Sequence, residues 1–404
     1  MPNLLRSRRI VAVVIALASV AVLGAAGALV TSAKAAYTLT VIVGNGKGGI
    51  AAQAFMPADV VIAEGDSIKF LNPYEQIHTT TFLAGGPEQL FMIPDPANPS
   101  RIILNPATAF PTAATEFDGS AYANSGVMGQ SPGQSKSWTL TFTEAGVYDF
   151  LCVIHPGMEG TVTVKNRPYG AVTTQAQADA TAAQTLAAAV AAGEAAAAAA
   201  KPTTTKSSDG TTTWQVLMPT TAELKDGMKG TVDAMRFVPA KIKIGVGDTV
   251  SWVDPNIEPH TVTFTSGAAA PEFVLPEFGA APGPPTLVPN VQVLFPQGGA
   301  TYDGTGYRNS GFLGIGVEQH GGTTYSLKFT KAGVYAYICV IHADQGMSGV
   351  VEVGGVGVGA PTTGDGGLLA GNSAPPWQWL VLGTGVSLAA LAIGAARVWA
   401  SRRA

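Results

Sequence analysis

The chain has 404 residues, of which 12% are charged, and a formal net charge of −4. Its length is enough for two or three domains, and its 49 glycines and 27 prolines favour loop-rich β structure over a helical bundle. So small a net charge, with basic clusters only at the two termini, excludes nucleic acid as an expected partner.

Residues 1–35 have the pattern of an export signal. Three arginines precede an apolar run from Ile10 to Val30, and Ala33-Lys-Ala35 has the small-x-small form of a signal-peptidase site. Because the apolar run is long enough to span a bilayer, the segment is either a cleaved signal peptide or an uncleaved signal anchor. Either interpretation places the following domains outside the cytoplasm.

Residues 37–166 are predicted to form a first β-sandwich domain. Apolar and polar residues alternate in several segments, which are separated by Gly-Asp and Ala-Gly turns as half-buried antiparallel strands are. The last strand before Cys152 places Tyr148, Phe150 and Cys152 on one face. We therefore expect the thiol to point into the core end of the sandwich rather than into water.

Residues 170–211 form an Ala- and Thr-rich linker. Alanine dominates from Thr174 to Ala200, which predicts a helix, although Gly193 weakens it. A disordered alanine-rich linker is the alternative. Such a linker would either hold the neighbouring domains apart or fold back and bring them together.

Residues 212–354 repeat the first domain in the same order. The matching segments begin at Phe55 and Phe237, at Phe117 and Tyr302, and at Trp138 and Tyr325. A repeat of this extent predicts an all-β fold of two tandem sandwiches.

Residues 355–376 are rich in Gly, Thr and Pro, which predicts a flexible tether. Residues 377–397 are almost free of charge, are bracketed by tryptophans and are followed by arginines, as expected for a transmembrane helix with residues 398–404 in the cytoplasm. A buried core helix is the alternative. We expect a cell-membrane protein with its domains on the extracytoplasmic face, crossing once, or twice if the N-terminal segment is retained, with membrane lipid around the C-terminal helix.

The only two cysteines open the same phrase in the two halves. One half has Cys152-Val-Ile-His155-Pro-Gly-Met158, preceded by His78, and the other has Cys339-Val-Ile-His342-Ala-Asp-Gln-Gly-Met347, preceded by His260. Soft sulfur ligands with imidazole favour copper, with methionine as the weak axial ligand, although zinc accepts the same set. A disulfide is not expected because it would join two metal loops, and the fifth histidine, His320, is interpreted as a turn residue.

The motifs resemble those of the cupredoxins, the blue-copper proteins, over residues 37–166 and 212–354. The Phe-x-Pro opening, the Gly-Asp turn, the first histidine and the Cys-x-x-His-Met loop occur in family order in both halves. The first loop is similar to that of amicyanin and the second to that of plastocyanin. The resemblance implies a Greek-key sandwich with one type 1 copper per domain, held by the following residues. They are His78, Cys152, His155 and Met158 in the first domain, and His260, Cys339, His342 and Met347 in the second.

The resemblance also implies that His155 and His342 reach the surface as electron ports. Two departures stand out. Thr79 and Thr261 replace an asparagine that follows the first histidine in several family members and helps to fix the copper loop. Insertions account for much of the 73 and 78 residues between the first histidine and the cysteine, and the sequence assigns them no role.

The expected function is electron transfer by a membrane-anchored protein with two type 1 copper centres, between redox proteins of respiratory or photosynthetic complexes. An enzyme with a small-molecule substrate is not expected, because copper oxidases and nitrite reductases need further histidines, including some beside the cysteine. Copper storage or delivery to a cuproenzyme is the alternative, and a metal-free adhesion scaffold is a third interpretation. Because the two loops differ in length, the two centres are expected to differ in reduction potential.

Overall fold

A computed structural model of the chain describes residues 36–129, 134–166, 170–280, 282–316 and 321–354. The predicted export signal, the tether, the predicted membrane helix with its cytoplasmic tail, and His320 lie outside these ranges. Within the part of the chain that is described, no helix combines the length and the apolar composition needed to cross a membrane.

The first half of the chain consists mostly of strands. They are β1 (Thr38–Lys47), β2 (Ile50–Met56), β3 (Asp59–Ala63), β4 (Ser67–Leu71), β5 (Thr81–Phe82), β6 (Met92–Asp95), β7 (Asn98–Leu104), β8 (Glu116–Phe117), β9 (Ala123–Asn124), β10 (Ser137–Phe142), β11 (Gly146–Leu151) and β12 (Glu159–Lys165), with one short helix, α1 (Pro106–Ala109), after β7. Inward and outward side chains alternate along β4 and β12, which confirms the expected half-buried strands.

Two sheets face each other in this half. One has the order β3-β12-β11-β5-β9, and the other contains β2-β1-β4-β10-β8. The pairs β1/β4 and β3/β12 are parallel, whereas antiparallel strands were expected throughout. Parallel neighbours arise here because the chain crosses from one sheet to the other between them, which local alternation does not reveal.

The linker contains the predicted helix, α2 (Gln175–Ala199). Thr174 and Gln177 form a capping box at its start, in which each side chain bonds the other residue's backbone N–H. The helix folds back over β1 and β2 instead of extending between the domains. At Gly193 the helix lies so close to Ile50 of β2 that a Cβ would overlap that side chain, so the glycine permits the close packing.

The second half repeats the arrangement. Its strands are β13 (Thr204–Lys206), β14 (Thr212–Leu217), β15 (Ala222–Glu223), β16 (Thr231–Ala234), β17 (Lys241–Gly245), β18 (Thr249–Val253), β19 (Thr263–Phe264), β20 (Val274–Glu277), β21 (Thr286–Pro289), β22 (Pro296–Gln297), β23 (Thr301–Tyr302), β24 (Arg308–Ser310), β25 (Thr324–Phe329), β26 (Gly333–Ile338) and β27 (Ser348–Gly354), with the short helix α3 (Val291–Leu294). The sheets have the orders β13-β14-β18-β25-β23 and β17-β27-β26-β19-β24-β22.

Each half has an aromatic cluster in its core, next to the strand that leads to the cysteine. In the second half Trp252, Phe264 and Tyr337 pack with ring centroids 5.1–5.8 Å apart. In the first half the corresponding residues are Phe70, Phe82 and Phe150, with centroids 5.3–6.1 Å apart. Each such pair contributes about 0.5–1.5 kcal/mol beyond the area that it buries. Because Phe150 and Tyr337 lie on the strands that lead to Cys152 and Cys339, each cysteine follows a strand that is tightly packed in the core.

The two halves share a sheet and fall within one compact unit of the chain. Strand β16 belongs to the second half in sequence, yet it pairs with β2 of the first half, with Val232 opposite Ala52. One face of β2 lies under α2, while Ala51 on the other face joins the core of the second half. The halves are therefore joined through backbone hydrogen bonds as well as side chains.

The insertions that the sequence left without a role also join the halves. One forms the hairpin β6–β7 and the other the hairpin β20–β21, and β7 lies against β21. Arg101 bridges the pair, because its guanidinium lies 2.5 Å from Asp95 in its own hairpin and 2.7 Å from Glu277 in the other. The two inserted hairpins therefore hold the two halves together.

Candidate metal centres

The first candidate centre lies at one end of the first sandwich, where three segments meet. His78 precedes β5, and its backbone pairs with that of Met128 through two hydrogen bonds of 2.8 and 3.0 Å. Cys152 follows β11, and His155 lies in the loop between β11 and β12. The Cys152 Sγ lies 3.4 Å from His155 Nδ1 and 3.9 Å from His78 Nδ1, and all three side chains are buried. The expected inward direction of the thiol is confirmed.

The loop after Cys152 is closed by its own backbone. The Cys152 N–H donates to the Met158 carbonyl at 2.9 Å, and the Met158 N–H donates to the His155 carbonyl at 3.1 Å. Met158 is fully buried. Closing the loop this way holds the cysteine, the histidine and the methionine in one tight turn.

The second candidate centre has the same plan with a longer loop. The Cys339 Sγ lies 3.5 Å from His342 Nδ1 and 3.9 Å from His260 Nδ1, and the two Nδ1 atoms are 3.0 Å apart. A 3₁₀ turn over Val340–Gln345 and a left-handed Gly346 take up the two extra residues. The Cys339 N–H still donates to the Met347 carbonyl, at 3.0 Å, and Met347 is fully buried.

Both donor sets fit a copper ion. In each, the sulfur and a nitrogen from each histidine all lie within 4.8 Å of one another. Bonds of about 2.0–2.3 Å to one ion place such ligand atoms roughly 3–4 Å apart, which matches the separations above. Thiolate, two imidazoles and a thioether in a closed loop are the donors of a type 1 copper centre.

The surroundings of both cysteines lower the pKa of the thiol and so favour its metal-binding form. Burial alone would raise the pKa of Cys339, but the charge of His342 and the hydrogen bonds of both histidines lower that pKa to about 5. The pKa of Cys152 is also well below its ordinary value, since the effects of His155 and His78 outweigh burial. A thiolate is the form that binds metal, so neither centre has to be deprotonated against its surroundings.

Threonine takes over the supporting role that the resemblance assigns to asparagine. The Thr79 N–H donates to Cys152 Sγ at 3.4 Å, and the Thr79 hydroxyl accepts the Val153 N–H at 3.0 Å. In the second half the Thr261 N–H donates to Cys339 Sγ at 3.3 Å, and its hydroxyl accepts the next backbone N–H at 2.8 Å. Each threonine therefore holds both the sulfur and the backbone that follows it.

Gly44 in β1 packs directly against the first histidine. Its φ of +67° is in the left-handed region, and a Cβ at this position would overlap the imidazole ring of His78. The His78 Nε2 is buried and has no hydrogen-bond partner among the described residues, so on this side the ring is held by packing, while its Nδ1 faces Cys152 Sγ. Gly44 was not recognised from sequence, although a glycine inside a strand is a signal of a close approach.

His155 and His342 are not at the surface, so the expectation of two exposed electron ports is wrong. Their exposed fractions are 2% and 4%. The two halves pack with these histidine edges toward one another, and an interface between halves covers what a single domain would expose. The error arises because the resemblance describes one domain at a time.

Glu258 lies between the two histidines and was missed by the sequence analysis. Its Oε1 lies 3.0 Å from His342 Nε2, and its Oε2 lies 3.6 Å from His155 Nε2. Only 10% of its side chain is exposed. Burial alone would raise the pKa of Glu258, but the charge of His155 and the hydrogen bond with His342 lower it to about 2. An acidic residue two positions before a predicted ligand, His260, was the available signal.

The comparisons with known proteins agree with this site. Residues 43–165 and 310–354 match the family model of copper-binding proteins of the plastocyanin/azurin family. Plastocyanin from Scenedesmus fuscus is 26% identical over 125 residues, which are 30% of this chain and 88% of that protein.

Solved structures of amicyanin variants are also similar to part of the chain. A Cu(I) structure with a substituted methionine is 21% identical and covers 32% of this chain and 82% of its own, with a TM-score of 0.20. An oxidised structure with a substituted proline is 22% identical over the same shares, with a TM-score of 0.20. With family matches in both halves and a His-Cys-His-Met set in each, the two sites fit two cupredoxin domains similar to the copper-binding proteins of the plastocyanin/azurin family, and the cofactors are two copper ions.

Proposed function

We propose that this protein is a membrane-anchored, extracytoplasmic electron carrier whose two type 1 copper centres pass single electrons between redox complexes. The supporting observation is that each half holds a cysteine sulfur and two imidazoles, buried and already facing one another. The proposed ligands are His78, Cys152, His155 and Met158 for the first centre, and His260, Cys339, His342 and Met347 for the second.

Copper, when bound, supplies a one-electron couple between Cu(I) and Cu(II). The protein's part is to keep the ligand atoms in place in both states. The loop hydrogen bonds from Cys152 and Cys339, together with Thr79 and Thr261, fix the sulfur and the backbone around it. Burial excludes water from the ligands. Small movement between the two oxidation states means fast electron transfer.

The proposed location rests on the two ends of the sequence. The export pattern of residues 1–35 and the apolar stretch of residues 377–397, which is uncharged up to its last residue, Arg397, support a chain that is exported and anchored by its C-terminal helix. Redox proteins of a respiratory or photosynthetic complex on that face of the membrane are the proposed donors and acceptors. Storage or delivery is less favoured, because buried and closed ligand sets oppose ready exchange of the ion.

The first experiment uses residues 37–354 loaded with Cu(II). We expect an intense thiolate-to-copper band near ~600 nm and about two coppers per chain, each halved in Cys152→Ala and in Cys339→Ala. A colourless protein, or a band that survives both substitutions, would contradict the electron-carrier proposal.

A separate experiment tests the location. Full-length protein and a version that stops at residue 354 are expressed in parallel, and their distribution between membrane and soluble fractions is measured after a high-salt wash. We expect only the full-length protein to stay with the membrane. Because an uncleaved N-terminal segment would hold both versions in the membrane, the N-terminus of each is determined by mass spectrometry. Equal retention of both versions after cleavage of residues 1–35 would refute anchoring by residues 377–397.

A further inference from the structure

We propose that Glu258 joins the two copper centres into one redox unit, in which an electron passes from one centre to the other through His155, the Glu258 carboxylate and His342. This inference rests on the proposed function, because it needs copper in both centres. It goes further by assigning an internal route and a residue that provides it.

The route is short and continuous. Each histidine turns its Nδ1 toward its own cysteine and its Nε2 toward the same carboxylate. Two imidazole rings, one carboxylate and two contacts of 3.6 and 3.0 Å therefore separate the two sets of copper ligands. Since each Nδ1 faces the metal position, each Nε2 carries the proton. His342 Nε2 donates to Glu258 Oε1, and His155 Nε2 faces Oε2 at 3.6 Å as a charge contact.

The carboxylate is held in position from the first half. Gln53 donates its amide to Glu258 Oε2 at 3.1 Å, and Gln76 donates to Oε1 at 3.4 Å. Glu258 thus has partners on both sides of the interface, and both of its oxygens are used. A buried carboxylate is costly to keep unless it is paired, and here its partners are the outer edges of two proposed copper ligands.

The two halves carry different residues at the position two before the first histidine. Gln76 stands two residues before His78, and Glu258 stands two residues before His260, so the two side chains are counterparts in the repeat. Only the second half supplies the acid. A single carboxylate can contact both histidines, whereas two carboxylates would repel one another in a space closed to water.

The proposed step is balanced within the chain. With copper bound in both centres, one ion would be oxidised from Cu(I) to Cu(II) and the other reduced from Cu(II) to Cu(I), with no bond made or broken and no proton transferred. Because both histidine edges are used internally, external redox proteins exchange electrons with the unit at other parts of its surface.

The test compares Glu258→Leu and Glu258→Gln with the unaltered chain, all loaded with copper. Glu277→Gln is the matched control, since Glu277 also bridges the two halves, to Arg101, but contacts none of the proposed ligands. Spectra of Cys152→Ala and Cys339→Ala serve as references for each centre alone. A pulse of one-electron reductant is given to the oxidised protein, and redistribution between the centres is followed in the visible and by electron paramagnetic resonance.

In the unaltered chain and in Glu277→Gln we expect a redistribution rate that does not depend on protein concentration. Glu258→Leu should slow it by about tenfold or more, equivalent to ~1.4 kcal/mol in the barrier. Glu258→Gln keeps the shape of the side chain and one acceptor oxygen, so its redistribution rate should lie between those of the unaltered chain and Glu258→Leu. A folding defect in Glu258→Leu alone would therefore not decide the result.

Failure of the inference is separable from failure of the proposed function. Blue centres with two coppers per chain, but with redistribution that is unchanged in both Glu258 variants or that needs collisions between chains, would overturn the inference and leave the proposed function standing. Loss of the blue band in the unaltered chain would remove both. The imidazole N–H signals of the diamagnetic Cu(I) protein give a second readout, because the His342 signal should lose its hydrogen-bond shift in Glu258→Leu only.

Discussion

Replacing Asp254 by asparagine should stabilise the metal-free protein in a way that depends on pH. Asp254 is fully buried, its Oδ1 accepts from the backbone and side chain of Asn256, and its Oδ2 has no hydrogen-bond partner in the described part of the chain. Its counterpart in the first half is Asn72, which donates to the carbonyls of Gln76 and Met128 at 2.7 and 3.1 Å. The same site therefore accommodates an amide in one half and a carboxylate in the other.

The magnitude follows from the pKa of the buried acid. Burial raises the pKa of Asp254 from 3.8 to about 6, with a partial offset from the charge of His260 and the hydrogen bonds from Asn256. An acid whose pKa is raised by folding destabilises the folded state once it ionises, so the cost is absent below about pH 4 and complete above about pH 6. That difference corresponds to about 3 kcal/mol at neutral pH.

The assay is urea unfolding of the metal-free Asp254→Asn and unaltered chains between pH 4 and pH 8. We expect similar midpoints at pH 4, a higher midpoint for the variant as pH rises, and a constant gap above about pH 6. Asn72→Asp is the reciprocal control, and it should be destabilised over the same pH range. Equal midpoints for the Asp254 variant and the unaltered chain at pH 7 would refute the reasoning.

Three further predictions concern the supports of the centres. Gly44→Ala should abolish copper binding in the first centre only, because the added methyl group displaces His78. The copper content should fall from about two to about one ion per chain, and two retained ions would contradict this prediction. Thr79→Val should lower the free energy of unfolding by about 1–3 kcal/mol, since it leaves the Val153 N–H buried without an acceptor, whereas Thr79→Ser should keep most of it. The second centre should have the lower reduction potential, because the negative charge of the buried Asp254 carboxylate acts on His260 and favours Cu(II). Redox titration of Cys152→Ala and Cys339→Ala, which each keep one centre, measures the two midpoint potentials. Equal midpoints would refute this prediction.

The features that sequence predicted well are those encoded over short distances. Cys152, His155 and Met158 lie within one loop, so their meeting needs no knowledge of the rest of the fold. The strands were predicted from their alternation, and α2 from its alanine content. The repeat then allowed each prediction for the first half to be checked against the second.

The features that were missed depend on how the halves pack. Nothing near β16 indicates that it pairs with β2, because any short strand with an apolar face fits several edges. Glu258 acquires its role only once His155 and His342 face one another. The surface expectation for those histidines failed for the same reason, since burial by a second domain leaves no periodic signal in the first.

The strand that the second half lends to the first also limits how the chain can be divided. If residues 37–166 were made alone, β2 would lose β16 and α2 together, which would leave its backbone edge unpaired and its buried Ile50, Ala52 and Ala54 uncovered on an apolar face. Such an edge recruits strands from other molecules, so the fragment should self-associate even with its own copper ligands intact. The repeat units visible in the sequence are therefore not the units that can be exchanged, recombined or transplanted, and a chimera that swaps one cupredoxin must carry β15 and β16 with the half that they complete.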